Sequence, residues 1–185
     1  MQQLCDTDQA IGRNSKMLSR IVGLDEVLLA ATNRIRTGEM RTSEFLLRAA
    51  SHLGDGYLWV VLGIAGLLTG RTKATWAGVM AAMIGLGVSL ILKRTCKRAR
   101  PIADAHWGRF VAPDQYSFPS GHTTTAVALA TVTVGYWSGI ATFMCVCAAC
   151  IAASRTLLGF HYLSDVLGGV FLGLLSGCLA VLILP

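Results

Sequence analysis

A chain of 185 residues has the length of one ordinary domain, yet 54% of it is hydrophobic and only 14% charged, against roughly 25% charged in an average soluble protein. Its mean hydropathy of +0.57 excludes a disordered chain and a solenoid of charged repeats, and leaves too few polar residues to cover a water-soluble fold. The net charge of +6 comes from 16 Lys and Arg against 10 Asp and Glu; it gathers before residue 50 and between Lys93 and Arg109 rather than on a polar face with interleaved aromatics, so nucleic acid is not an expected partner.

The first residues are polar, with Asp6, Asp8 and Arg13, and do not read as a cleavable signal peptide. Over residues 15–35 the apolar positions Met17, Ile21, Leu24, Leu28, Ala31 and Ile35 recur at alternating steps of four and three, which is one face of an α-helix. Arg20, Asp25, Glu26, Asn33 and Arg34 take the other face. The stretch is too charged to span a bilayer. It is expected to be an amphipathic interfacial helix, lying on the membrane or against the outside of the protein. A second short helix is expected from Thr42–Glu44 through Phe45, Leu46 and Leu47 towards His52. His52 and the Gly54-Asp55-Gly56 turn read as loop chemistry rather than catalysis.

Five apolar runs follow, at about Leu53–Thr69, Ala74–Leu92, Thr123–Trp137, Gly139–Leu158 and Leu163–Leu184. About 20 residues of helix cross the hydrocarbon core, so five transmembrane helices are expected. The chain then divides into an N-terminal interfacial segment, 1–50, and a membrane-embedded domain, 51–185. Gly169, Gly173 and Gly177 repeat every fourth residue on the last helix, a spacing that lets helices approach closely in lipid. Cys145, Cys147, Cys150 and Cys178 lie in apolar runs and read as buried packing, not as a disulfide framework or a metal site.

Three polar clusters interrupt this apolar plan. Lys93, Arg94, Lys97, Arg98 and Arg100 end the second span. Lys93 and Arg100 are expected two helical turns apart on one face, with Pro101 marking the helix end. Pro119-Ser120-Gly121-His122 opens the third span, where free backbone N–H groups and the positive end of the helix dipole attract an anion. Ser154-Arg155, His161 and Asp165 join the fourth and fifth spans. There a carboxylate four residues on can hold one imidazole nitrogen and free the other to attack, and Arg155 offers a fork of donors to phosphate oxygens. Simple up-and-down crossings put all three clusters on one side of the membrane. Three cations, a helix N-terminus and two histidines suit phosphoryl transfer through a phosphohistidine, with no metal required.

Together, Lys93-x6-Arg100-Pro101, Pro119-Ser120-Gly121-His122 and Ser154-Arg155-x5-His161-x3-Asp165 resemble the three-part signature of the type 2 phosphatidic acid phosphatase family, in the family's order, over about residues 52–180. The resemblance implies an all-α integral membrane bundle, generally of six helices, and so five to six here. It implies His161 as the nucleophile, oriented by Asp165, and His122 as the general acid. Lys93, Arg100, Arg155 and Ser120, with the backbone of Gly121, would hold the phosphoryl oxygens. The implied reaction is hydrolysis of a lipid phosphate or diphosphate such as phosphatidate, phosphatidylglycerophosphate, undecaprenyl diphosphate or a lipid A phosphate, with neither metal nor cofactor.

Lipid-to-lipid phosphotransfer through the same phosphoenzyme stays open. A vanadium-dependent haloperoxidase, whose pocket is similar, is a larger soluble protein. A transport path would place polar residues along the middle of several spans. Arg94, Lys97, Arg98, His106 and Arg109 either meet a larger or more negative head group or anchor to anionic membrane lipids. The positive-inside rule applied to these basic residues places the site in the cytoplasm. The resemblance to bacterial members implies the inner membrane with the site at the periplasmic face.

Overall fold

The structure, a computed structural model, describes residues 23–27, 30, 41–101 and 115–185, without the side chains of 41–44. Among the described residues from 41 on there are six helices: α1 Arg41–Leu53, α2 Tyr57–Leu68, α3 Thr72–Cys96, α4 Gly121–Tyr136, α5 Ser138–Leu157 and α6 Leu163–Ile183. Among the described residues there is no strand. The five expected spans correspond in order to α2 to α6, and the expected short helix to α1. Residues 23–27 are helical; most of the expected 15–35 helix, with His106 and Arg109, lies outside the described residues.

Helix α4 sits at the centre, against α3, α5 and α6, and α1 packs on α5. The interior is built from small side chains, with Ala77, Ala81, Ala126, Ala128 and Ala180 buried, while Leu68, Met83, Phe171 and Leu182 point outward. This inversion suits a hydrocarbon solvent, where burying large apolar groups against protein has no advantage over leaving them in lipid. The glycine stripe behaves as expected. A Cβ on Gly169 would lie 2.7 Å from the Ser120 carbonyl oxygen, one on Gly173 2.7 Å from the Thr124 oxygen, and one on Gly177 2.6 Å from Thr131 Cβ. The stripe therefore seats α6 directly on the backbone of α4.

By length and composition α3, α5 and α6 can each cross a membrane. Residues Phe45–Leu53 and Tyr57–Leu68 make a fourth only if the pair, bent by 48°, counts as one span. At 1.5 Å per residue α2 extends about 18 Å and α4 about 24 Å, short of about 30 Å of hydrocarbon; the count of five to six is not reached on these criteria. Of the four cysteines in apolar runs only Cys147 is buried, and Cys145, Cys150 and Cys178 are exposed. Cys145 and Cys147, two apart, point to different sides of a helix, so this run cannot all face inward.

Candidate active site

The first cluster departs from the expected helix. Helix α3 stops at Cys96, and Lys97 turns the chain with left-handed dihedrals (φ 47°, ψ 33°). Lys93, in the last helical turn and 6% exposed, and Arg100, beyond the turn, nevertheless line the same cavity of about 600 Å³. Gly121, His122, Arg155 and His161 line it too, with Ser51, His52 and Asp55 beside them. Six of the eight residues singled out from sequence thus line one cavity, and Asp165 lies 3.7 Å from His161 behind its wall.

Ser120 is the residue that stays apart. It is fully buried, and its hydroxyl accepts from Thr123 Oγ1 at 3.0 Å. Its backbone N–H donates to the Asp165 carbonyl at 3.0 Å. Its place is in the α4–α6 contact rather than on the cavity wall. Gly121, the first residue of α4, is the one that presents helix-end backbone to the cavity.

His161 lies between α5 and α6 and is 2% exposed. Its Nδ1–H donates to the Ser117 carbonyl at 2.8 Å. The Asp165 carboxylate, expected to hold this nitrogen, is 3.7 Å away, beyond hydrogen-bond length. Asp165 is instead the N3 carboxylate of α6 in a capping box with Tyr162, accepting the Tyr162 N–H at 2.9 Å. The backbone acceptor fixes the tautomer and leaves the Nε2 lone pair free of a proton. Arg100 Nη1 donates to that Nε2 at 3.3 Å and to the Phe160 carbonyl at 3.1 Å. Burial first, then the Arg155 and Arg100 cations, pushes the His161 imidazole down to about 4, so it is a neutral base at physiological pH.

Arg155 is buried, donates to Ser51 Oγ at 2.6 Å and stacks on the Phe160 ring, which ties α1 to the cavity. His122 meets the turn before α2. Its Nε2–H donates to Asp55 Oδ1 at 2.8 Å, and Asp55 Oδ2 accepts from His52 Nδ1 at 2.7 Å. Gly54 makes this approach possible, since a Cβ there would lie 2.7 Å from His122 Cδ2.

Arg98 does not face the cavity. Its guanidinium donates to Asp165 Oδ1 at 2.8 Å, to Ser164 Oγ at 2.6 Å and to Asp25 Oδ2 at 2.8 Å, and lies over the Tyr162 ring. Asp25 is 3% exposed and also accepts the Ser164 N–H at 3.1 Å. Among the described residues no cluster of three or more His, Cys, Asp or Glu is arranged to hold a metal ion.

The sequence pattern of the PAP2 superfamily matches residues 73–185. The chain belongs to the PAP2 superfamily. This member is 34% identical over 135 residues to decaprenylphosphoryl-5-phosphoribose phosphatase of Mycobacterium tuberculosis, covering 71% of this chain and 75% of the relative. It is 30% identical over 183 residues to phosphatidylglycerophosphatase B of Bacillus subtilis, covering 91% and 78%. The crystal structure of a transmembrane PAP2-type phosphatidylglycerolphosphate phosphatase from Bacillus subtilis superposes with a TM-score of 0.69 at 24% identity, covering 87% of this chain and 84% of that one. That of Aquifex aeolicus LpxE gives the same TM-score and identity, covering 83% and 93%. These two likenesses show the fold.

Proposed function

We propose that this PAP2 protein hydrolyses a lipid phosphate monoester or diphosphate through a phosphohistidine on His161. The observation that carries the reading is the meeting of Lys93, Arg100 and Arg155 with His122 and His161 around one cavity. The match to relatives named as phosphatases of lipid phosphates supports it. A second cavity of about 420 Å³, lined by apolar side chains of α2, α3, α4 and α5, shares Trp59 and Thr125 with the first. A charged chamber beside an apolar one suits an amphiphile, with its phosphate among the cations and a chain beside Leu62, Leu67 and Leu129.

In the resting site Arg100 occupies the lone pair of His161 Nε2. A phosphoryl group entering between Lys93, Arg100 and Arg155 would draw the guanidinium onto its oxygens and free that lone pair. His161 Nε2 then bonds to phosphorus as the P–O bond to the lipid alcohol, or to the lipid monophosphate of a diphosphate, breaks, and His122 gives its proton to the departing oxygen. In the second half, water attacks the phosphohistidine, His122 takes its proton back, and phosphate leaves with His161 restored. The Ser117 carbonyl and, at longer range, Asp165 stabilise the positive charge that the imidazole acquires. We place the protein in a bacterial inner membrane with the site at the periplasmic face.

The test is phosphate release by purified protein in detergent, with chelator present, from phosphatidate, phosphatidylglycerophosphate, undecaprenyl diphosphate and a lipid A phosphate. Release that is lost in His161→Ala supports the reading. Activity that survives the substitution refutes the covalent route, and transfer to a second lipid without phosphate release would make the enzyme a phosphotransferase.

A further inference from the structure

The turn between α1 and α2 belongs to none of the three motif clusters, yet it reaches the cavity. Asp55 sits between Gly54 and Gly56. Gly56 has φ +107°, a conformation costly for any residue with a Cβ. Gly54 touches the His122 ring so closely that a methyl group would not fit. These two glycines bring the Asp55 carboxylate between two imidazoles, 2.8 Å from His122 Nε2 and 2.7 Å from His52 Nδ1. Both ring nitrogens donate, because an ionised carboxylate only accepts.

From this geometry we infer that Asp55, backed by His52, is the positioning residue for His122: it fixes the ring, keeps Nδ1 as the atom that faces the leaving oxygen, and holds the ring's charge as the general acid. The inference rests on the phosphatase reading above. Lys93 on α3 and Arg155 on α5 line the same cavity as His122, and Asp55 is the carboxylate in contact with its ring. Those cations are needed for phosphate, and they disfavour the imidazolium that must donate the proton. A carboxylate in contact opposes that repulsion. Burial alone would raise the Asp55 carboxyl, but the hydrogen bonds from His122 and His52 hold it below its ordinary value, so it is ionised whenever the enzyme works. His52 stands at the exposed end of the line and orients Asp55 without touching the cavity's reacting groups.

The step balances simply. The proton leaves His122 Nδ1 for the alcohol oxygen as the P–O bond breaks and the bond to His161 Nε2 forms. His122 becomes neutral, and it recovers a proton from the water that cleaves the phosphohistidine. Asp55 stays ionised throughout and pairs with the ring in its charged form.

Asp55→Asn keeps a hydrogen-bond acceptor but removes the charge; Asp55→Ala removes both; Asp55→Glu restores the charge. Each is assayed as full-length protein in detergent on a lipid alkyl phosphate and on 4-nitrophenyl phosphate, whose leaving group needs no proton. In Asp55→Asn, kcat/KM on the lipid phosphate should fall roughly ten- to a hundredfold while that on the aryl ester falls no more than about threefold. The basic limb of the lipid-phosphate profile should move to lower pH by about one unit, and Asp55→Glu should recover much of both. Equal losses on the two esters with an unmoved pH profile, in protein that elutes and melts like wild type, would overturn the inference. Where the aryl ester is not turned over, the pH profile alone decides. Failure of the phosphatase reading would look different: wild-type protein would itself release no phosphate, whatever stands at position 55.

Discussion

Arg98 separates two accounts of the basic stretch after α3. If it meets a substrate head group, Arg98→Ala should change KM and leave stability alone. The structure predicts the opposite. The guanidinium joins Asp165, fully buried, to Asp25, 3% exposed, with Ser164 as a shared partner. Its removal strands two carboxylates away from water. Breaking a buried pair from one side costs about 3–5 kcal/mol, and Arg98 itself is 28% exposed, which lets water relieve part of that cost. We therefore expect a loss of about 2–4 kcal/mol. Arg98→Lys should rescue little, since a point charge cannot hold both carboxylates in a planar fork. The assay is reversible unfolding in mixed detergent micelles, run as a double-mutant cycle with Asp25→Asn. Removing Arg98 should cost less once Asp25 is neutral, with a coupling of about 1–3 kcal/mol. Additive effects, or a stable Arg98→Ala protein with only a raised KM, would refute the network.

Two further predictions follow from packing and charge. Gly173→Ala places a methyl 2.7 Å from Val127 Cβ and from the Thr124 oxygen, atoms of a helix core that cannot yield. It should destabilise by about 1–3 kcal/mol in the same unfolding assay, whereas Gly87→Ala, with nothing within 4 Å, should be neutral or slightly stabilising. His161 should titrate near 4 rather than near 6.5, as followed by nitrogen NMR of the labelled histidine in detergent. The sign is that of a depressed pKa: the folded site holds the neutral ring, so stability from this group is full at neutral pH. It falls as pH drops below the ordinary histidine value, where the unfolded chain takes up a proton first. Titration near 6.5 would remove the argument that the nucleophile is kept unprotonated by its surroundings.

Much of this was legible in the chain because it is carried by side-chain type and spacing. Runs of apolar residues announced α2 to α6, the four-residue glycine spacing announced a close helix contact on α6, and six of the eight motif residues line one cavity. What escaped depends on the backbone or on distant pairing. The acceptor for His161 is the carbonyl of Ser117, and a carbonyl has no signature in sequence. Helix α3 ends at Cys96 because Lys97 adopts a left-handed turn, although nothing before Pro101 announces a break. Ser120 has the composition of a phosphate ligand but takes the buried side of its turn, held by Thr123 and the Asp165 carbonyl. Asp25 lies 73 residues from Arg98, and Asp55 lies 67 from His122; no local periodicity joins such pairs. The glycines flanking Asp55 were the one available hint, since two of them around a carboxylate mark a turn whose position matters.

The central claim is that phosphorus passes through His161. The most direct measurement is trapping of the enzyme by an alkaline detergent quench during turnover of a lipid phosphate labelled with radioactive phosphorus, followed by peptide mapping at alkaline pH. The account predicts label that is stable to alkali, labile to acid, located on the peptide containing His161 and missing in His161→Ala. Label on another residue, or label and turnover that persist in His161→Ala, would contradict it.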